Sequence, residues 1–367
     1  MMPNTLFMKK TVFPLLIFLL LVAPLCVKAQ RLVDVQFVPA DSVVAWGGGE
    51  ADWRGMATAL FPDVKEKVFV PASSAKKLLK HWTKQTRPAL GVLGMNAATA
   101  DGRVEADAAL ADEAAQLFVA TGRADGFEAM ERAVHGRLLQ LVQPSAGRSY
   151  ATRLAAQTLT TATGRVYAVD DEGLWVNLFL NNTARMQAAG TQVVVDQLTA
   201  MPYDGRVKIR LSGLRHGGYP LTVRVRVPMW AAGLDDVSLW DGWLRSPALP
   251  YVVYVNGREW FDAKIERGYV VIRRKWNSGD EVLFDLPVQP RWVDLPGENH
   301  SKALRRGPLF YALPVEASVS VFDEEVEMEE VLGETGLPEI RLRDKVGRIY
   351  QASPVFLTDG DGVFHFE

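Results

Sequence analysis

The stretch PLTVRVRVPMW, residues 220–230, decides the fold. Leu221, Val223, Val225 and Val227 alternate with Thr222, Arg224 and Arg226. A period of two belongs to a β-strand, whose successive side chains point to opposite faces. One row is apolar and the other polar, so the strand is expected to bury one face and wet the other. Pro228 ends the run, because proline cannot donate to a ladder. On this reading the stretch is scaffold, and the chemistry lies elsewhere.

The same period surrounds it. GLWVNLFLNN, TQVVVDQL, RVKIRLSG, YVVYVNG, GYVVIRRKW, DEVLFDLPV and GPLFYAL are short β-type runs between Gly173 and Leu313. Turn chemistry separates them at Asp204-Gly205, Asn256-Gly257 and Gly279-Asp280. Many short strands at regular spacing predict an antiparallel sandwich over residues 166–314. A β-type tail follows over 315–367, opening on the acidic run DEEVEMEE (323–330), which is expected to be a solvated edge or loop. The tail stops at DGVFHFE, partway through a β-type region, as an incomplete second sandwich would.

Upstream the period changes. VEADAALADEAAQLFVA (104–120) places Leu110, Ala114, Leu117 and Phe118 on one stripe, and Thr121-Gly122 breaks it. GFEAMERAVHGRLLQLV (126–142) places Phe127, Met130, Val134, Leu138 and Leu141 on another. The two predict a helical hairpin within an α-rich segment, 30–165. The fold class is therefore α+β, a short helical segment followed by an antiparallel β-sandwich. Gly47, Gly48 and Gly49 predict a loop, and no P-loop or dinucleotide spacing accompanies them.

The first 29 residues form a separate object. Lys9 and Lys10 precede 14 apolar residues, Val12 to Leu25, too few for a membrane-spanning helix. Val27-Lys28-Ala29 supplies small or apolar residues at −3 and −1, so a secretory signal cleaved after Ala29 is expected, and with it a secreted or periplasmic protein. Cleavage would remove Cys26, the only cysteine, and Lys9, Lys10 and Lys28 but no acid. The 41 basic residues would fall to 38 against 43 acids, a balance that argues against a nucleic-acid partner. No further stretch reads as a membrane span.

The order of the β motifs carries a resemblance. GLWVNLFLNN, MPYDGRVKIRLSG, LTVRVRVPMW, VYVNGREW, RGYVVIRRKWNSGDEVLFDLPV and RRGPLFYAL resemble, in that order, the C-terminal half of glycoside hydrolase family 127, the non-reducing-end β-L-arabinofuranosidases. LFVATGRADGFEAMERAVHGRLLQ resembles the last hairpin of that family's catalytic barrel, and the likeness runs over roughly residues 105–315. The resemblance implies an (α/α)6 barrel before the sandwich. Twelve helices with their connections need about 190 residues; residues 30–172 count 143, so a truncated barrel is expected. It also implies a cysteine nucleophile on a zinc site of cysteines and a glutamate. The family's paired cysteines would fall near Tyr150 and Ala151, in RSYATRLAAQ, where neither residue can form a thiolate. No family catalytic residue carries over, and no cofactor or metal is implied.

Other residues could act instead. Most glycosidases use two carboxylates. Glu128 and Glu131, at i and i+3, share a helix face, with His135 one turn on as a general base. The alternative is a solvated face with salt bridges and a packing histidine. Trp240 and Trp243 lie in a loop-like segment, 231–251, and could stack on a sugar ring or simply pack. The histidines show no H-x₃-H or H-E-x-x-H spacing, which argues against a histidine zinc site. Asn181-Asn182-Thr183 and Asn299-His300-Ser301 fit the glycosylation pattern.

Three readings stay open: a carbohydrate-related protein without the family's site that binds plant-type or other glycans, a glycosidase using carboxylates, or a truncated remnant. In the last, an uncovered helix face at Phe118, Phe127 and Leu138 would promote self-association.

Overall fold

The computed structural model describes residues 35–46, 52–86, 100–294, 302–313 and 326–358, with no side-chain account of 100–103. The expected signal, the glycine loop at 47–49, the second sequon and the chain's last residues lie outside these.

The fold is α+β, with three mostly antiparallel sheets among the described residues. The first runs Gln36–Phe37, Tyr167–Val169, Gly173–Val176, Tyr219–Arg226, Tyr269–Trp276, Lys264–Glu266. Its one parallel pair joins Gly173–Val176 to Tyr219–Arg226. The second runs Arg258–Glu259, Tyr254–Val255, Glu281–Asp285, Arg206–Ser212, Thr191–Thr199, Asn182–Ala188, Val43–Trp46. Asn256 (φ 53°) and Gly257 (φ 73°) turn its outer hairpin in the left-handed region, as Asn-Gly should. Buried polar contacts tie the two sheets together. Tyr167 Oη donates to Asn182 Oδ1 at 2.9 Å, and Gln197 Nε2 lies 3.2 Å from Tyr167 Oη.

The third sheet runs Pro290–Asp294, Lys302–Arg306, Leu309–Ala312, Ile349–Pro354, Pro338–Arg343, Glu327–Leu332. It crosses residue 314, because Tyr311 pairs with Pro354 and Ala312 with Ser353. The strands on either side of the expected boundary thus share one ladder. The part of the acidic run within Glu327–Leu332 forms the edge strand, with its glutamates exposed.

The helical hairpin is Ala100–Thr121 and Asp125–Ala133, continued through a π-helical stretch, Val134–Leu138. Gly122 closes the first helix at φ 67°. Gly126 allows the second to approach the first, since a Cβ there would lie 2.7 Å from the Ala114 carbonyl oxygen. Upstream, Trp53–Leu60 and Ala75–His81 are further helices, where the sequence shows little regular helical period.

The hairpin packs on the first sheet. Phe118 meets Trp175 at 5.4 Å and Tyr269 at 6.1 Å between ring centroids, and Phe37 joins Phe118 at 5.6 Å. Phe118, Phe127 and Leu138 are fully buried within this chain, so the expected uncovered face does not lie at these residues.

The Tyr219–Arg226 strand departs from expectation in one respect. From Leu221 to Arg226 both rows are buried, Arg226 to 1% exposure. The strand is central, with helices over one face and the second sheet behind the other, so Arg226 has no route to water and needs buried partners, whereas Arg224 pairs with the buried carboxylate of Asp170 and with the exposed Glu172.

Candidate functional site

The partners of Arg226 are the two glutamates of the second hairpin helix. Every residue from Asp125 to Ala133 except Arg132 is buried. Glu128 and Glu131 are 0% and 4% exposed, which corrects the solvated-face expectation. The helix is enclosed on more than one side, so its charged positions cannot reach solvent.

Glu131 accepts from Arg226 Nη2 at 2.7 Å and from Trp230 Nε1 at 2.9 Å, one bond to each oxygen. Glu128 Oε2 accepts from the Met229 amide at 3.0 Å and from Arg226 Nη1 at 3.5 Å. Glu128 Oε1 accepts from Arg305 Nη2 at 3.2 Å, with Arg132 Nε at 3.7 Å. Arg305 Nη1 also binds Asp235 Oδ1 at 2.5 Å, and Arg291 spans Asp235 at 2.7 Å and the Trp230 carbonyl at 2.8 Å. The cluster joins the hairpin helix, the end of the Tyr219–Arg226 strand, the segment after Pro228 and the third sheet. PLTVRVRVPMW is therefore more than a ladder strand: its Arg226, Met229 and Trp230 hold both glutamates.

The charges fit this arrangement. Burial, reinforced by Arg305, lowers the Arg132 guanidinium to about 10, opposed by Glu128 and Asp235, and it stays cationic at neutral pH. His135 lies one turn beyond Glu131, 5% exposed, edge-on to Trp53 at 5.4 Å between centroids. Burial lowers its pKa to about 3, and Arg226 and Arg305 push the same way. It is neutral at any ordinary pH, and its Nδ1 is buried without a hydrogen bond.

What can the cluster do chemically? A general acid must present a proton to the glycosidic oxygen, and a nucleophile or base a free lone pair facing substrate or water. Both oxygens of each glutamate are already engaged, below protein surface. The geometry suits holding elements together. Breaking one partner out of such a buried ionic group costs roughly 3–5 kcal/mol, although its net contribution over apolar packing can be small.

The tryptophans of 231–251 divide. Trp240 is fully buried, its Nε1 donates to the Leu234 carbonyl at 3.0 Å, and the Arg132 guanidinium stands 5.5 Å over its ring. A sugar cannot reach it, which corrects the stacking expectation for that residue; the short helix Trp240–Arg245 turns the ring inward. Trp243 is half-buried, with Nε1 3.3 Å from the Ala248 carbonyl.

Tyr150 and Ala151 begin the helix Tyr150–Thr163, capped by a reciprocal Ser149–Thr152 box. Tyr150 is exposed, with its hydroxyl 3.2 Å from Glu105 Oε1, and Ala151 is buried. Among the described residues no three His, Cys, Asp or Glu side chains gather as a metal site would require. No helix among them is long and apolar enough to cross a membrane.

A groove of about 780 Å3 opens elsewhere, between the 35–41 segment, the Trp53–Leu60 helix and the extended chain 62–71. No periodic pattern marks it in the sequence, because it is lined largely by irregular chain.

Residues 173–288 match the family description of the β-L-arabinofuranosidase GH127 middle domain. No curated protein matches the chain. Among solved structures, a GH127 β-arabinofuranosidase superposes with a TM-score of 0.61 at 19% identity, covering 87% of this chain and 59% of that one. A GH127 β-L-arabinofuranosidase from Geobacillus stearothermophilus gives 0.59 at 18% identity, covering 86% and 59%. A third, described as a glycoside hydrolase, gives 0.55 at 15% identity, covering 72% and 51%. The resemblance to family 127 thus holds in sequence over the middle domain and in fold over most of the chain, which spans little more than half the length of these structures.

Proposed function

We propose that this chain is an exported, carbohydrate-related relative of the family 127 β-L-arabinofuranosidases that recognises glycan without the family's cysteine–zinc chemistry. The observation that carries the reading is the state of the polar residues nearest the expected site. Tyr150 and Ala151 occupy the positions where the resemblance implies paired cysteines, and the only cysteine of the chain, Cys26, lies in the segment read as a signal. The acids that could have substituted, Glu128 and Glu131, are bound to Arg226, Arg305, Trp230 and the Met229 amide.

In this reading Glu128, Glu131, Arg226 and Arg305 lock the helical hairpin onto the sheets, and no step of bond cleavage is assigned to them. Export rests on the charged, apolar and small-residue order of residues 1–29. The test is incubation of purified protein with β-L-arabinofuranosides and other glycosides, with and without zinc, alongside a glycan array. Glycan binding without sugar release supports the proposal. Release above a buffer blank, lost on replacing any acid, overturns it.

A further inference from the structure

The 780 Å3 groove lies apart from the ionic cluster and within the size range of small-ligand sites. Its lining combines apolar and charged groups. Phe37 and Phe69, both half-buried, meet edge-to-face at 5.1 Å. The buried Arg165 guanidinium stacks on both, 4.6 Å from Phe37 and 5.3 Å from Phe69. Four cationic side chains, Arg54, Lys65, Lys67 and Arg165, face two carboxylates, Asp41 and Glu66.

Most of these charges are already engaged. Arg165 pairs with Glu66 at 2.8 Å and donates to the Lys67 carbonyl at 3.2 Å. Lys67 pairs with Asp112. Arg54 uses Nη2 on the exposed Asp41 at 3.0 Å. One accessible donor remains: Lys65 is exposed with no ion pair among the described residues, whereas the unbonded Arg54 Nη1 is buried below the surface. An exposed ammonium lining a groove is a donor for a carboxylate. Asp41 and Glu66 can accept from hydroxyls, and the phenyl rings and prolines of the lining offer apolar surface to the C–H face of a sugar ring.

We infer that this groove binds an acidic saccharide, with a uronate carboxylate taken by Lys65 and the sugar packed along Phe69. The inference rests on the carbohydrate reading above and narrows it to a ligand class and a place. Charge complementarity favours an anionic over a neutral glycan, and the interleaved acceptors favour a hydroxyl-rich ligand over an acidic peptide.

The test is calorimetric titration of the purified full chain with a galacturonate oligomer, a neutral arabino-oligosaccharide of equal length and an oligoglutamate peptide. The expected result is binding of the galacturonate oligomer, weakened by added salt, and at least tenfold weaker binding of the other two. Lys65→Glu, at an exposed position, should lower the affinity by about tenfold with an unchanged melting temperature, and Phe69→Ala should lower it further. Preference for the neutral oligomer, or full affinity in Lys65→Glu, would overturn the groove assignment while leaving the carbohydrate reading standing. Equal binding of oligoglutamate would overturn the saccharide class. No binding of either saccharide here, together with a blank glycan array, would overturn both.

Discussion

Replacing Glu128 by glutamine keeps the shape of the side chain and removes its charge. In the native cluster Glu128 accepts from the Met229 amide at 3.0 Å, Arg305 at 3.2 Å and Arg226 at 3.5 Å, with Arg132 at 3.7 Å. A glutamine can satisfy donors on one side only. Its amide NH₂ must face either the Arg305 and Arg132 guanidinium groups or the Met229 amide and Arg226, donor against donor. Arg305 keeps Asp235 and Arg226 keeps Glu131, so the loss is that of one partner in a buried ionic group, about 3–5 kcal/mol. For a chain of this length that corresponds to a fall in melting temperature of about 4–7 °C. Glu281→Gln is the internal control. Glu281 pairs with Lys208 at 2.8 Å on the surface, both partners partly exposed, and the change should cost under about 1 kcal/mol. Thermal melts and urea titrations of the three proteins measure both effects. Melting of Glu128→Gln within a degree of the parent would refute the view that Glu128 holds the hairpin to the sheets.

Three further outcomes follow from the same geometry. His135 is held neutral down to about 3, whereas an unfolded histidine protonates near ~6.5, so below that pH the unfolded state binds more protons. Its contribution is complete above pH ~6.5 and is lost as pH falls from there towards 3, by up to ~1.4 kcal/mol per unit; urea midpoints of the parent and His135→Gln should converge over that range, and parallel curves would contradict the burial argument. Gly268→Ala should destabilise by about 2–4 kcal/mol, since φ is +90° and the new Cβ would sit 2.6 Å from the Ala124 Cβ, whereas Gly242→Ala, with open space around it, should be neutral or stabilising in the same melt. Trp240→Ala should cost about 3–5 kcal/mol by denaturant titration, and Trp243→Ala clearly less, because only the first ring is wholly enclosed.

Strands such as Asn182–Ala188, Thr191–Thr199 and Arg206–Ser212 were legible because they carry a period of two, whereas Gln36–Phe37 and Val43–Trp46, too short to show one, lie in the segment read as α-rich. The hairpin was legible because Gly122 stops one stripe and Phe127 begins another. The ionic cluster was not. Glu128 and Glu131 beside Phe127 and Met130 fit an ordinary amphipathic helix, and their partners lie 95 to 177 residues away in sequence. One signal did exist. Arg224 and Arg226 alternate with valines in a strand with β-type runs on either side of it in the chain, and an arginine buried in a central strand, as Arg226 is, requires buried acids. Nothing in the sequence around 314 signals that Leu309–Ala312 and Ile349–Pro354 share a ladder, because pairing between distant strands is set by packing rather than by local pattern. The helices of 53–81 were missed because they are short, with few apolar repeats to register a period.

The most direct test of the central claim is product analysis after incubation of the purified protein with a β-L-arabinofuranoside, with and without added zinc. No release of arabinose above a buffer blank is expected in either condition. Zinc-dependent or zinc-independent release, abolished in Glu128→Gln or Glu131→Gln proteins that still melt like the parent, would contradict it and make the buried glutamates the catalytic pair.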